Sequence, residues 1–219
     1  MKKKDKIYVA GHAGLVGSAL VRQLTRAGYR NLCLAPRATL DLTRQEAVEK
    51  FFRKERPLYV FMAAGRVGGI GANQAFPGEF LYQNLMIQAH IMEAARMTGV
   101  AKLLFLSSAC TYPRLAVSPI AEEALLTGPI EPTNEPYGVA KLAGIKMCQA
   151  YRRQYGVDFI AATPANAYGP GDDFTESGHV VAALLGRFYR ARQLGEKEVR
   201  IWGTGRPWRE FLYVDDLAR

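Results

Sequence analysis

A tyrosine and a lysine lie four residues apart in the stretch YGVAK, at Tyr137 and Lys141. In a helix this spacing places both side chains on one face. A free tyrosine has a pKa of about 10, and a nearby ammonium group stabilises the phenolate and lowers that pKa. A tyrosine adjusted in this way can protonate a carbonyl oxygen while the carbon is reduced. Taken alone, such a pair is more often two solvated neighbours on a helix surface.

A serine supplies the third member of this group. Ser108 ends the apolar stretch KLLFLSS, residues 102–108, which is predicted to be a strand. Open α/β sheets bind ligands at the carboxyl ends of their strands. The Ser108 hydroxyl can hydrogen-bond the carbonyl oxygen that Tyr137 would protonate. Ser108, Tyr137 and Lys141 are therefore predicted to be catalytic.

Three glycines in GHAGLVG lie between the first predicted strand and the first predicted helix. Glycine permits the tight turn, lets the backbone approach a pyrophosphate, and leaves room for the helix against the sheet. The helix N-terminus then offers free N–H groups to the phosphates. The G-x-x-G-x-x-G spacing is typical of short-chain dehydrogenases/reductases. We predict a dinucleotide site at Gly11, Gly14, Leu15, Val16 and Gly17; the alternative is a strand–helix turn without a ligand.

The end of the second predicted strand favours NADP over NAD. An NAD site usually places Asp or Glu there to bind the ribose 2′-hydroxyl. The stretch LAPRATLDL has no acid at that position, and Arg37, which suits a 2′-phosphate, follows closely. Arg37 could equally be an exposed loop cation. Asp41 and Leu42 are expected to lie along the adenine.

Apolar stretches that alternate with helical patterns position these residues. Strands are predicted at 6–10, 32–35, 58–64, 102–108 and 157–163, and helices at 14–27, about 43–55, 77–98 and 136–155. Thr43 is expected to cap the second helix with Glu46, in a Thr-x-x-Glu capping box. Continuous apolar strands alternating with helices predict an α/β fold, a Rossmann-type doubly wound parallel sheet.

The pattern changes after Pro164. A loop at 164–174, a helix at 178–194, short strands in VRIWG and EFLYV, and a helix beginning near Asp215 or Asp216 are expected. We therefore predict a Rossmann domain at 1–165, which carries the Ser/Tyr/Lys site and binds NADP, and an incomplete substrate-binding region at 166–219. The chain looks truncated at this end.

Composition narrows the class of partner and compartment. The 219 residues carry a formal charge of +9, which suits an anionic partner. The basic residues are spread along the chain without a nucleic-acid motif, so a nucleotide or nucleotide sugar is the expected partner rather than nucleic acid. Three widely spaced cysteines predict neither a metal site nor a disulfide framework, and hence a cytoplasmic protein. Neither a signal peptide nor a membrane span is predicted.

Several longer stretches resemble the GDP-L-fucose synthase family of extended short-chain dehydrogenases/reductases. They cover nearly the whole chain: GHAGLVGSA, AAGRVGGIGAN, KLLFLSSACTYP, EPTNEPYGVAKLAGIKMC, NAYGP and WREFLYVDD. The resemblance implies NADPH-dependent 3,5-epimerisation and 4-reduction of GDP-4-keto-6-deoxy-D-mannose to GDP-L-fucose. It also implies a homodimer that pairs helices 77–98 and 136–155, and a family length well beyond residue 219.

The resemblance also implies roles for individual residues. Cys110 would be the base of the epimerisation and His179 its acid. Around the GDP-sugar it places Ser108, Asn166, Arg187, Trp202 and Arg209. We expect further cofactor contacts from Ala63, Ala64, Tyr137, Lys141, Pro164, Asn166 and His179.

Other functions stay open at this point. Another extended short-chain enzyme, a 4-epimerase or a 4,6-dehydratase, is the near alternative, although SSACTYP lacks the acidic pair that a dehydratase needs. A 4-epimerase would need neither Cys110 nor His179. A dinucleotide-binding sensor, or a cofactor-binding fragment without turnover, is the alternative from a different class.

Overall fold

Five parallel strands form the central sheet. The computed structural model describes residues 1–175, 178–201, 203–206 and 208–219. The strands lie in the spatial order β2-β1-β3-β4-β5, and every neighbouring pair is parallel. Their bounds are β1 Ile7–Ala10, β2 Leu32–Cys33, β3 Tyr59–Met62, β4 Lys102–Leu106 and β5 Phe159–Ala162. The predicted Rossmann-type doubly wound α/β fold is confirmed.

Helices connect the strands and lie on both faces of the sheet. They are α1 Leu15–Arg26, α2 Gln45–Glu55, α3 Ile70–Ala75, α4 Pro77–Thr98, α5 Glu135–Tyr155, α6 Val180–Leu194 and α7 Val214–Leu217. The three longest, α4, α5 and α6, each end at a glycine in the left-handed conformation, at Gly99, Gly156 and Gly195. Glycine adopts this conformation at little cost and so ends a helix sharply.

The core is divided by the sheet into two parts. On one face α2, α4 and α5 bury Tyr8, Phe52 and Phe105 together with most of the other large side chains. On the other face α1 packs Leu20 and Leu24 against Ile7 and Val9 of β1. Beyond the area covered by α1, an open cavity of about 480 Å³ lies against β3, β4 and β5, lined partly by Phe61, Leu104 and Ile160.

A second, smaller sheet joins β6 Asn166–Tyr168 and β7 Phe211–Tyr213 in parallel. This part of the chain packs against α1. Asp215, in the first turn of α7, forms ion pairs with Arg22 and Arg26 of α1. The division of the chain between residues 165 and 166 stays a prediction.

Three local predictions were wrong. Residues 166–168 form a strand instead of a loop, because β7 supplies backbone partners 45 residues later. Residues 199–201 and 203 form no strand. Thr43 does not cap α2: the helix begins at Gln45, and Asp41 accepts hydrogen bonds from both the amide and the hydroxyl of Thr43. The short turn around Asp41 therefore replaces the expected capping box.

In the described ranges, no helix is both long enough and apolar enough to cross a membrane.

Candidate active site

The turn between β1 and α1 needs glycine for steric reasons. Gly11 has φ +80°, and a Cβ at this position would lie 2.7 Å from the backbone nitrogen of Ala64. At Gly17 a Cβ would lie 2.0 Å from the carbonyl oxygen of Gly11. Gly14 differs, because its nearest neighbour would be 3.5 Å away. Gly11 and Gly17 thus let β1, β3 and α1 meet at one point.

The start of α1 fits a dinucleotide pyrophosphate. Gly14 is the N-cap residue, so no side chain satisfies the first N–H groups, and the first turn carries no acidic residue. Leu15, Val16 and Gly17 form that turn. The Nδ1 atom of His12 is buried without a hydrogen-bond partner in the described ranges. Free N–H groups at the positive end of a helix favour a phosphate.

The predicted adenine-side residues Arg37, Asp41 and Leu42 follow β2. Arg37 is exposed in the turn after β2. Hydrogen bonds from Thr43 are the main cause that lowers the pKa of Asp41, so this carboxylate stays ionised and engaged within its own turn. The carbonyl oxygen of Leu42 contacts Nδ1 of His90 at 3.2 Å. The charge of Arg37 also contributes to lowering the pKa of Asp41.

Lys141 is buried next to Tyr137. Only 5% of the residue is exposed, and its Nζ donates to the carbonyl oxygen of Leu106 at 2.9 Å. The ammonium also lies 4.8 Å from the ring centroid of Phe105 and 5.9 Å from that of Tyr137. Burial lowers the pKa of Lys141 to about 8, because the charged form loses water.

Tyr137 is close to both Ser108 and Cys110. Burial raises the pKa of Tyr137 well above its ordinary value, the charge of Cys110 raises it further, and a hydrogen bond with Ser108 lowers it. The net shift is upward, opposite to the lowered pKa that the sequence predicts, and its causes do not include Lys141. The desolvation of the phenolate outweighs the other effects, so burial favours the protonated form of Tyr137.

Cys110 is fixed by two hydrogen bonds that involve different elements. Its backbone N–H donates to the Ser108 hydroxyl at 3.3 Å, in the 3₁₀ turn Ala109–Thr111. Its Sγ accepts a hydrogen bond from Nδ2 of Asn134 at 3.0 Å. The carbonyl oxygen of Cys110 also packs against Gly138, where a Cβ would be only 2.6 Å away. The start of α5 therefore holds the cysteine next to Tyr137.

Asn84 fixes the segment that follows β3, where Ala63 and Ala64 lie. Its side chain accepts from the N–H of Arg66 and donates to the carbonyl oxygen of the same residue. It also donates to the carbonyl of Phe80, within its own helix α4. A Cβ at Gly65 would lie 2.8 Å from Asn84 Oδ1 and 3.6 Å from Lys141 Nζ. This segment therefore runs directly beside the buried lysine.

In the described ranges, the site residues predicted after β5 make no hydrogen bond to Cys110. His179 is the N-cap residue of α6, exposed and without a side-chain cap bond. In the described ranges no hydrogen bond or ion pair joins it to Cys110 or Tyr137. Pro164 follows β5 at the carboxyl edge of the sheet, and Asn166 donates to the carbonyl oxygen of Glu210.

The predicted phosphate ligands are two arginines on different elements. Arg187 on α6 donates at 3.5 Å to the carbonyl oxygen of Arg200, while its Nε is buried without a partner in the described ranges. Arg209 is exposed just before β7, and its charge contributes to lowering the pKa of Glu131. Trp202 lies outside the described residues.

The sequence did not predict the side-chain contacts of Asn134 and Asn84. Asn134 precedes a predicted helix, where an asparagine is normally assigned to capping. The EPTNEPY motif contained it, but nothing in the local pattern indicates that its partner is a cysteine 24 residues earlier. Asn84 lies inside a helix, and its partners are backbone atoms 18 residues away.

Known proteins with the same features are similar over the whole chain. The sequence profile of the NAD-dependent epimerase/dehydratase family matches residues 7–219. GDP-L-fucose synthase 1 of Arabidopsis thaliana is 56% identical over 217 residues, which are 99% of this chain and 67% of that protein. The GDP-L-fucose synthase of Escherichia coli strain K12 is 51% identical over 216 residues, 98% of this chain and 67% of that protein.

A solved structure agrees with this result. MlghC, a GDP-mannoheptose C4 reductase from Campylobacter jejuni with NADP bound, superimposes with a TM-score of 0.92 at 42% identity. The alignment covers all of this chain and 71% of that chain. The chain spans about two thirds of the length of the curated relatives it matches. It belongs to the NAD-dependent epimerase/dehydratase family and, within that family, to the GDP-L-fucose synthase group.

Proposed function

We propose that this chain carries the catalytic part of an NADPH-dependent GDP-L-fucose synthase. The reaction is the 3,5-epimerisation and 4-reduction of GDP-4-keto-6-deoxy-D-mannose. The observation that supports it most directly is the cluster of Ser108, Cys110 and Tyr137 at the carboxyl end of β4, above the buried Lys141. Identity to GDP-L-fucose synthases of up to 56% adds independent support.

The cofactor is proposed to be NADP, with its pyrophosphate at Gly11, Gly14 and Gly17 and its 2′-phosphate near Arg37. The lack of an acidic residue directly at the end of β2 and the NADP in the similar MlghC structure support this choice. Ala63, Ala64, Pro164 and Asn166 are proposed to line the rest of this site. When bound, NADPH supplies the hydride that the C4 carbon accepts.

In the reduction, Tyr137 gives its proton to the C4 oxygen while Ser108 hydrogen-bonds the same oxygen. The raised pKa of Tyr137 keeps the proton in place until the oxygen gains charge. Lys141, ionised below a pH of about 8, then stabilises the phenolate that remains. Its hydrogen bond to Leu106 fixes the ammonium below the tyrosine ring.

In the epimerisation, Cys110 removes a proton from C3 or C5 of the sugar, and the C–H electron pair moves onto the C4 ketone oxygen. His179 returns a proton to the same carbon from the opposite face. The ketone acidifies both positions, so groups of ordinary strength suffice. Arg187 and Arg209 are proposed to bind the diphosphate, because guanidinium groups bind phosphate oxygens in pairs. Trp202 is proposed to pack on the nucleotide.

A second candidate is a GDP-sugar C4 reductase without epimerisation. It is favoured by the likeness to MlghC, a GDP-mannoheptose C4 reductase. A third outcome is a fragment that binds the cofactor without turnover, since the chain spans about two thirds of its curated relatives.

One experiment separates the three. The chain is mixed with NADPH and GDP-4-keto-6-deoxymannose in heavy water, and NADPH loss is followed at 340 nm together with the mass of the sugar nucleotide. NADPH oxidation with deuterium gained at two carbons supports the proposal. Oxidation without deuterium gain assigns the simple reductase. No oxidation, with NADPH binding retained, leaves a cofactor-binding fragment. Tyr137→Phe and Cys110→Ser serve as matched variants for the two half-reactions.

We also propose a cytoplasmic homodimer that pairs α4 and α5. Exposed apolar side chains on these helices, Tyr82 and Met97 on α4 and Val139 on α5, support an interface there. Light scattering after size exclusion tests it: a monomer mass would overturn the dimer, and Tyr82→Lys should dissociate it.

A further inference from the structure

We propose that Asn134 is a positioning residue for Cys110, whose side-chain amide orients the sulfur and stabilises its thiolate. The inference rests on the proposed function, in which Cys110 removes protons from the sugar. Asn134 Nδ2 lies 3.0 Å from Cys110 Sγ. A hydrogen bond to an ionised acceptor is stronger than one to a neutral acceptor, so this contact favours the thiolate over the thiol.

The position of Asn134 on α5 makes this use of its side chain unusual. It is the N-cap residue of a helix of 21 residues, yet its side chain makes no cap hydrogen bond. Asparagine is one of the best N-cap residues because its oxygen accepts from the first free N–H groups. Here the side chain gives up that contact and donates to Cys110. The sulfur therefore also lies beside the positive end of α5, which favours an anion.

The Asn134 amide can serve both protonation states of the sulfur. In the present orientation Oδ1 is buried and has no partner in the described ranges. Rotation of the amide by 180° would point Oδ1 at the sulfur, where it accepts from a thiol S–H. A thiolate needs the N–H and a thiol needs the oxygen. The base can therefore gain and lose its proton within one cycle without losing its partner.

The other charged groups around the site do not replace this contact. Burial favours the neutral form of Tyr137, and the ammonium of Lys141 donates to the carbonyl oxygen of Leu106. Glu131, three residues before Asn134, accepts from Thr133 and is paired with Arg114 at 3.4 Å. In the part of the chain that the structure describes, Asn134 is the side chain that donates to the sulfur.

The test measures the ionisation of Cys110 directly, without substrate. Iodoacetamide alkylates the thiolate, so the pH midpoint of the alkylation rate reports the thiol–thiolate equilibrium. The rate is measured for the Cys110 peptide by mass spectrometry in wild type, Asn134→Ala, Asn134→Asp and Thr133→Ala. Burial raises the pKa of Cys33 to about 11 and of Cys148 to about 12, so these two cysteines stay unlabelled near neutral pH.

We expect Asn134→Ala to move the midpoint upward and to slow alkylation at pH 7 about tenfold, the effect of one unit in an ionisation constant. Asn134→Asp should move the midpoint further, since a carboxylate repels the thiolate. Thr133→Ala changes the same turn but not the contact, and its midpoint should match the wild type. If Asn134→Ala fails to fold by circular dichroism, Asn134→Ser takes its place with the same expected direction.

An unchanged midpoint in the folded Asn134 variant overturns the inference, even if the chain turns over the sugar nucleotide. A higher rate at every pH also overturns it, because that result means only greater access to the sulfur. In active enzyme, Asn134→Ala should slow deuterium gain at the sugar more than NADPH oxidation of an already epimerised substrate. A shifted midpoint in a chain without any turnover would contradict the proposed function but would still support the interaction between Asn134 and Cys110.

Discussion

Gly11 and Gly14 belong to the same motif, but the space available for a Cβ atom differs between the two positions. Gly11→Ala combines a left-handed φ of +80° with a Cβ 2.7 Å from backbone, whereas a Cβ at Gly14 has 3.5 Å of room. We expect Gly11→Ala to weaken NADPH binding at least tenfold and Gly14→Ala to weaken it only slightly. Fluorescence titration of NADPH measures both, with circular dichroism to confirm folding. Equal losses in the two variants would contradict this assignment of Gly11.

Because burial lowers the pKa of Lys141, the stability of the protein should depend on pH. The folded pKa of Lys141 is about 8, below the value of about 10.4 in an unfolded chain. Between these values the unfolded chain binds more protons, so the free energy of unfolding rises with pH. Relative to Lys141→Met, the wild type should therefore gain stability above pH 8, at most about 1.4 kcal/mol per pH unit.

Urea unfolding from pH 7 to 10 measures this effect as the difference between the two proteins. The buried cysteines, whose raised pKa values act in the opposite direction, are present in both proteins and cancel. Parallel stability curves would show that Lys141 holds an ordinary pKa and would contradict its burial.

The residues of the proposed catalytic group could be predicted where the chemistry requires particular residue types at a short spacing. Tyr137 and Lys141 share one helix face, and the glycines share one turn, so local sequence determines their neighbours. The contact between Asn134 and Cys110 spans 24 residues and depends on how α5 meets the loop after β4. The direction of the Tyr137 pKa also depends on burial, which the sequence pattern does not determine.

At the level of single elements, α5 contains a glycine, Gly144, at a position where the neighbouring strand β4 leaves no room for a larger residue. A Cβ at Gly144 would lie 2.4 Å from the ring of Phe105, which also contacts the ammonium of Lys141. Alanine favours a helix by about 1 kcal/mol, but overpacking a core costs roughly 1–3 kcal/mol. We expect Gly144→Ala to destabilise the protein and to slow the reduction.

Gly78→Ala in α4 is the matched control, because nothing lies within 4 Å of its Cβ position. It should be neutral or stabilising by up to about 1 kcal/mol in urea unfolding. A Gly144→Ala protein as stable as the wild type would mean that Phe105 moves aside without cost.

The two longest helices were predicted closely: α4 covers the predicted range 77–98, and α5 begins one residue before the predicted 136–155. The errors fall where a competing partner decides the outcome. Thr43 does not cap α2, because its amide and its hydroxyl both donate hydrogen bonds to Asp41. β6 was missed because a strand of three residues is defined by its pairing with β7 rather than by its own sequence.

At the scale of the whole molecule, one face of the sheet is only partly covered. The cavity against β3, β4 and β5 exposes apolar side chains, including Phe61 and Ile160. We expect it to bind a hydrophobic dye such as ANS, and Ile160→Thr to reduce the dye fluorescence about twofold while keeping a β-branched strand residue. Leu185→Thr, at an exposed position of α6, should leave the signal unchanged. A wild type that binds no dye would contradict the open cavity.

The ion pair between Arg22 and Asp215 joins residues 193 positions apart. It connects the helix that begins at the pyrophosphate turn with the segment that follows Arg209 and β7. A partly buried pair of this kind contributes at most about 1 kcal/mol, which limits any coupling between the two ligand sites to about fivefold. Such coupling is reciprocal: the bound sugar nucleotide should tighten coenzyme binding by the same factor by which the bound coenzyme tightens binding of the sugar nucleotide. The ion pair therefore favours neither order of addition of the two ligands.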